Sequence, residues 1–257
     1  MKHSDPEYAR IAEKGTVLRC QVGSGVHGVA VGGQNDRDEM GICVEPPEYV
    51  IGLRAFEQYV FRTQPDHARS GPGDLDLTVY SLRKWMRLAL DGNPTVLLPL
   101  FVPDGEIVAV TDTGLELRAA ADRVLSRRAG HRFLGYLRAQ RERMEGLRGG
   151  KHTNRPELVD AHGFDTKYAY HMVRLGIQGV ELMETGRLTL PMPVADRTWL
   201  RELRLGGHSR AEALARAAEL EERLEWLCGN ADLPEEPDRG WADRWLVDAY
   251  RRSWDGR

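Results

Sequence analysis

Two short apolar alternations flank a glycine-rich stretch near the start of the chain, and they constrain the fold more than any other feature. Leu18, Cys20 and Val22 alternate with polar residues, and a second alternation runs from Met40 to Val44. Such a period of two is typical of β-strands that bury one face. We therefore predict two strands. The glycine-rich stretch VGSGVHGVAVGGQNDRDEMGI runs from the end of the first strand into the second.

A third alternation predicts another strand and a helix directly after it. The sequence LDLTVYSL, with Asp74 directly before it, places Asp74, Asp76, Thr78 and Tyr80 on one face and leucine and valine on the other. Next comes SLRKWMRLALDGNP, which has helical spacing and ends at a Gly-Asn-Pro stop.

Beyond about residue 112 the patterns are helical. Asp165 is expected to begin a helix that ends before Gly186, and Ser209 with Glu212 forms a capping box. We therefore predict an α+β fold with a strand-rich core over residues 1–112 and a mostly α-helical C-terminal domain over residues 113–257.

Composition narrows the class of protein. The net charge is −3 and 41% of the residues are hydrophobic, which is enough to build a core. The three cysteines form no CxxC pair, and no apolar run approaches the length of a membrane span. The first residues lack the apolar core of a signal peptide. We expect a soluble, cytoplasmic protein without a membrane partner.

Gly23 and Ser24 follow the first predicted strand. Backbone N–H groups in such a turn, together with a serine hydroxyl, can hold a phosphate, and glycine lets the ligand approach closely. The same dipeptide is also common in ordinary turns.

Two aspartates give the turn a chemical context. Asp36 and Asp38 lie two apart, so in a strand their carboxylates share a face and require a cation between them. Oxygen ligands suit Mg²⁺, and Asp76 is a further candidate ligand, with Asp74 as the alternative. Three carboxylates around two metals could activate a hydroxyl and hold a triphosphate.

These motifs carry a family resemblance. GSGVHG followed by DRDEMG resembles the signature of the DNA polymerase β-type nucleotidyltransferase superfamily. DLTVYSLRKW with GNPTVLLPLF, and GFDTKYAYHMVRLGIQGVELMETG, resemble predicted nucleotidyltransferases of bacteria and phages, some encoded beside RNA ligases. The resemblance implies a mixed β-sheet core with flanking helices.

The resemblance also implies roles for individual residues. Gly23 and Ser24 would hold the nucleotide phosphates, Asp36 and Asp38 would bind Mg²⁺ or Mn²⁺, and Asp76 would be the third carboxylate. Residues 25–27 depart from many relatives, which carry an arginine and an aromatic residue there.

Basic residues offer further contacts for a polyanion. Lys167 and His171 are four apart, so they share a helix face near Arg174, and Lys84 follows the third strand. Eleven Lys or Arg and three acidic residues lie between residues 118 and 155, which favours an RNA partner.

The predicted reaction is transfer of a nucleoside monophosphate from an NTP to an acceptor, an RNA end being favoured, with release of pyrophosphate. Two alternatives stay open. The acceptor could be a protein or a small molecule, or the chain could be a catalytically silent module that binds nucleotide or RNA.

Overall fold

A computed structural model describes residues 3–32, 37–65, 68, 70–147 and 155–256. Within these ranges the chain forms ten α-helices and one five-stranded sheet. The fold is α+β, as predicted: a mixed sheet with flanking helices, accompanied by a mostly helical C-terminal region.

The sheet is built from both sequence-local and distant strands. The strands are β1 Thr16–Gln21, β2 Arg37–Cys43, β3 Gln58–Arg62, β4 Leu75–Ser81 and β5 Ile107–Val110. Their order is β3-β4-β2-β1-β5, with β2 and β4 parallel and the other pairs antiparallel. The three predicted strands are confirmed, whereas β3 and β5 carry no clear alternation and were not predicted.

The strand directions bring three chain ends to one side. Because β1 is antiparallel to β2 and β2 is parallel to β4, β1 ends where β2 and β4 begin. We call this end of the strands the aspartate edge, as distinct from the outer strands of the sheet. It carries Gly23, Asp38 and Asp76. At the opposite end of the strands, β4 leads directly into the next helix.

Five helices belong to the first compact unit with the sheet. They are α1 Pro6–Gly15, α2 Leu82–Leu90, α3 Asp112–Ala119, α4 Ala121–Val124 and α10 Arg239–Asp255. Helix α1 packs on one sheet face, where Ile11 and Ala12 join Leu77 and Val79 in a buried cluster. This burial explains why the leucine and valine residues of LDLTVYSL alternate with polar ones.

In the second compact unit, the regular elements formed by the described residues are all helices. Its helices are α5 Arg128–Met144, α6 Pro156–His162, α7 Thr166–Thr185, α8 Val194–Arg204 and α9 Arg210–Asn230. Two glycines let α7 approach its neighbours: a Cβ on Gly176 would lie 2.9 Å from Leu220, and one on Gly179 would lie 2.9 Å from Phe133. Larger side chains at these positions would force the helices apart.

The helix caps predicted from the sequence are confirmed. Asp165 accepts hydrogen bonds from the first backbone N–H groups of α7, and Gly186 ends this helix in a left-handed conformation. Ser209 and Glu212 form a reciprocal capping box at α9. Each cap satisfies backbone groups that a helix end leaves without an internal partner.

The first unit comprises Met1–Leu90, Thr95–Val124 and Pro237–Arg257, and the second comprises Asp91–Pro94 and Leu125–Glu236. The division of the chain at residue 112 into two domains stays a prediction. Among the helices of the described ranges, none is long and apolar enough to span a membrane.

Candidate functional site

The Gly-Ser segment forms a compact turn at the end of β1. The backbone N–H of Val22 donates to the carbonyl of Asp38 at 2.9 Å, which ties the start of the turn to β2. Within the turn, the N–H of Val29 donates to the carbonyl of Ser24 at 3.0 Å. Gly28 has a φ of 75°, a backbone conformation that glycine adopts without strain.

Glycine at position 23 is required by the closeness of Asp38. A Cβ on Gly23 would lie 2.8 Å from the Cβ of Asp38 and nearer still to one of its carboxylate oxygens. A larger residue would therefore displace the aspartate. The turn is therefore packed against Asp38, the second aspartate of the DxD motif.

Asp38 and Asp76 are neighbours across the parallel pair β2–β4. They are Cα partners in its register, so both side chains lie on the same face at the aspartate edge. Adjacent strands are about 4.8 Å apart, so Asp38 and Asp76 are close neighbours on this face. Asp36, the other predicted ligand, lies outside the described residues.

Asp76 already contacts three donors. Arg62 Nε donates to its Oδ1 at 2.6 Å, and Gln64 Nε2 donates to the same oxygen at 3.0 Å. Ser70 Oγ donates to Oδ2 at 2.5 Å. The guanidinium of Arg62 therefore supplies a positive charge directly at this carboxylate.

Asp74, the alternative third carboxylate, closes the loop before β4. It accepts hydrogen bonds from the Gly71 N–H and the Thr63 hydroxyl, each at 2.8 Å. These two bonds, that from the Gly71 N–H first, lower the pKa of Asp74. Its observed contacts are those of a turn residue.

The donors at the aspartate edge suit a hard cation in chemical type. Carboxylate oxygens are the ligands that Mg²⁺ prefers, and a cation, the Arg62 guanidinium, already lies on Asp76. Within the described residues, however, no group of three His, Cys, Asp or Glu side chains is arranged to hold a metal ion. Asp38 and Asp76 are the carboxylates of the described residues that lie nearest to each other in the register here.

Lys84 lies at the other end of β4. Asp76 and Ser81 are five residues apart in this strand, which is about 17 Å. The ammonium of Lys84 contacts Glu57 and Gln58, each at 3.0 Å, and its hydrogen bond lowers the pKa of Glu57. The structure does not bring Lys84 together with the aspartates.

Lys167 and His171 lie on α7 in the second unit. The pKa of His171 is lowered well below its ordinary value, first by burial and then by four positive side chains. We call these four side chains the α7 cation cluster: Arg174, Lys167, Arg155 and Arg204. His171 therefore lies in a positive environment, and the centroid of its ring lies 4.8 Å from that of the Tyr170 ring.

Aromatic rings organise this cluster. The guanidinium of Arg204 lies 5.2 Å from the ring centroid of Tyr170, and that of Arg174 lies 5.9 Å from it. Arg155 stacks on Tyr168 at 5.1 Å and also pairs with Asp165 at 3.2 Å. The cations are thus held in place around one helix face.

The described part of the arginine-rich segment, which leaves out residues 148–154, does not form the basic stripe that the local charge suggests. Its arginines pair with acids that are distant in the sequence: Arg123 with Asp238, Arg128 with Glu236, and Arg138 and Arg141 with Glu221. Tertiary contacts therefore neutralise much of the local excess of positive charge.

Sequence reasoning missed Arg62, the cation at Asp76. Arg62 ends β3, and the segment from Tyr49 to Phe61 has no clean period that would reveal this strand. Only the antiparallel register, in which Arg62 is the Cα partner of Asp76, places the guanidinium at the aspartate edge.

A mixed sheet with a Gly-Ser turn and aspartates at one edge is the arrangement expected of a polymerase β-type nucleotidyltransferase. The chain belongs to the RNA repair pathway DNA polymerase beta family, whose sequence profile matches residues 2–248. This membership supports nucleotidyl transfer as the general chemistry, and enzymes of this type generally use an NTP and divalent metals.

Among solved structures, the chain is similar to a nucleotidyltransferase-like protein from Exiguobacterium sibiricum 255-15. The two are 13% identical, the match covers 86% of this chain and 72% of that chain, and the TM-score is 0.31. No curated protein matches the sequence.

Proposed function

We propose that the protein transfers a nucleoside monophosphate from an NTP to an RNA end and releases pyrophosphate. The observation that carries this proposal is the packing of the Gly23 turn against Asp38, with Asp76 beside it in register. A glycine-containing turn and neighbouring carboxylates meet there, an arrangement that suits nucleotidyl transfer.

The residues of the aspartate edge have distinct proposed roles. Gly23 and Ser24 hold the β- and γ-phosphates through backbone N–H groups and the serine hydroxyl. Asp36, Asp38 and Asp76 would hold Mg²⁺ or Mn²⁺. When bound, the metal would supply positive charge to the reacting phosphate and lower the pKa of the attacking hydroxyl.

The proposed reaction is a substitution at the α-phosphorus. The acceptor oxygen forms a bond to this phosphorus, and the bond to the bridging oxygen of the β-phosphate breaks. The electron pair of that bond leaves with pyrophosphate, and the acceptor proton passes to a base, for which Asp76 is the proposed residue.

Two observations support an RNA acceptor. The family is described as an RNA repair family, and the α7 cation cluster offers positive charge with aromatic rings, a combination that suits a polyanion. Lys167, a member of this cluster, and His171, which the cluster surrounds, are proposed phosphate contacts. Lys84, which contacts Glu57, stays a prediction from the sequence alone.

One observation favours a second function, a catalytically silent module that binds nucleotide or RNA. Both carboxylate oxygens of Asp76 already accept hydrogen bonds, from Arg62, Gln64 and Ser70. A chain that only binds phosphates has no need of a third open carboxylate.

The deciding experiment offers four α-³²P-labelled NTPs with Mg²⁺, total RNA and cell lysate. We expect label on RNA, and a loss of about 10²-fold or more in the Asp38→Asn variant. Asp122→Asn is the matched control, because this aspartate is exposed on α4. A wild-type rate in Asp38→Asn would overturn the proposed function. NTP binding without transfer to any acceptor would favour the silent module.

A further inference from the structure

Three adjacent strands place a line of charges at the aspartate edge. Asp76 on β4 is the Cα partner of Asp38 on β2 and of Arg62 on β3. Partners across a ladder point to the same face, so the order of charges is negative, negative, positive. Arg62 therefore lies on the same face as the proposed catalytic carboxylates, one strand beyond Asp76.

The contact between Arg62 and Asp76 is close and only partly buried. Their ion pair measures 2.6 Å, and the two side chains are 25% and 28% exposed. Solvent screens a partly exposed ion pair and reduces its net contribution, so another cation can compete for the carboxylate. The pair is thus suited to exchange its cation.

A second ion-pair group on the neighbouring strand shows the opposite design. The carboxylate of Glu39 on β2 is fully buried, and it is held by Arg19 at 2.5 Å and Arg37 at 2.6 Å. Removing one partner there would leave a buried charge, which is costly. Glu39 is therefore a fixed structural anchor, whereas Asp76 is within reach of solvent ions.

Arg62 is also supported when it is not paired with Asp76. Its terminal nitrogen donates to the carbonyl of Ala68 at 3.1 Å and to Ser70 Oγ at 3.3 Å. These contacts keep the guanidinium near the edge without relying on the carboxylate. The arginine can lose one partner and still satisfy part of its donor set.

We propose that Arg62 is the resident counter-cation of Asp76 and competes with a divalent cation for that carboxylate. The inference rests on the proposed function, because it assumes that Asp76 can contribute to a metal site. Arg62 is then a positioning residue that sets how much divalent metal the site needs. It acts through Asp76 and not on the substrate.

The test is a Mn²⁺ titration of the full-length protein, followed by electron paramagnetic resonance of the free ion. We expect Arg62→Met to bind Mn²⁺ about three- to fivefold more tightly than wild type. Arg62→Lys keeps the positive charge and should stay close to wild type. In an Asp76→Asn background, Arg62→Met should have no effect, which a merely structural role would not produce. Thermal unfolding checks that every variant is folded.

The outcomes separate this inference from the proposed function. If Asp38→Asn lowers Mn²⁺ affinity but Arg62→Met leaves it unchanged or weaker, the competition is overturned and the proposed function stands. If no folded variant binds Mn²⁺, both are overturned. Tighter binding by Arg62→Met that persists in the Asp76→Asn background would also overturn the competition.

Discussion

Two arginine-rich regions of the helical unit have opposite electrostatic environments. Between α5 and α9, Arg138 contacts Glu221 and Glu225, and Arg141 contacts Glu221. Around α7, four cations surround His171 closely enough to lower its pKa. The first region uses arginine to join two helices, whereas in the second the cations lie around a histidine and the aromatic rings beside it.

The comparison shows that local charge in a sequence does not give the charge of a surface. The segment from residue 118 to 155 looks more basic than α7 does. Its positive charges are compensated by acids that lie about 80 to 110 residues further along the chain. The α7 cation cluster is therefore the better candidate for phosphate contact in this unit.

The largest expected effect concerns the ion pairs between α5 and α9. Glu221→Ala should lower the free energy of unfolding by about 2 kcal/mol, because it leaves two arginines without their shared carboxylate. Glu225→Ala, at a half-exposed position, should cost about 0.5 kcal/mol. Urea unfolding of both variants measures the difference, and equal losses would show that Glu221 is not the central residue of the network.

The second effect concerns anion binding by the α7 cation cluster. Lys167→Gln should weaken the binding of inorganic tripolyphosphate by about fivefold, which corresponds to ~1 kcal/mol. Calorimetric titration measures this affinity. Arg143→Gln on α5 is the control, since it removes an exposed charge outside the cluster. A similar loss in both variants would mean that only net charge matters.

The smallest effect concerns the pH dependence of stability. Because the pKa of His171 is lowered on folding, the unfolded state binds more protons below pH 6.5. This group therefore makes stability fall as the pH falls from 6.5 through its folded pKa, and His171→Gln should remove that part of the slope. Urea midpoints between pH 7 and 5 measure it, and an unchanged slope would argue against a partly buried, positively surrounded imidazole.

Glu221 contributes to the pH dependence of stability with the same sign as His171, but over a lower pH range. Burial alone would raise its pKa, but hydrogen bonds from Arg138 and Arg141 outweigh burial and leave the pKa lowered. Its contribution is present above pH 4.5 and is lost as the pH falls through the folded pKa. The two regions can therefore be distinguished in one pH series.

Local sequence signals predicted the parts of the fold that depend on near neighbours. Asp165 and Gly186 predicted the ends of α7, and Ser209 with Glu212 predicted the start of α9. The interacting groups in these motifs are two to four residues apart, so the short stretch of sequence contains both partners. The alternations of β1, β2 and β4 were also visible in the sequence. In β4 they match one buried face, whereas β2 is buried on both faces from Glu39 to Cys43.

The edge strands were not visible for a related reason. The residues of β3 are only partly buried, and β5 has a largely exposed pattern. Without one clearly buried face there is no period of two to detect. The contact between Arg62 and Asp76 therefore could not be predicted from the sequence, because it depends on how β3 pairs with β4.

The sequence by itself determined the α+β class, the main strands and helix caps, and a nucleotidyltransferase resemblance carried by the Gly-Ser and DxD motifs. Only the tertiary structure decided which charges meet. It paired Asp76 with Arg62, Asp74 with its own loop, and the arginines of α5 with acids of α9. The physical reason is that a cap is completed by adjacent residues, whereas an ion pair between elements depends on strand register and helix packing set by the whole fold.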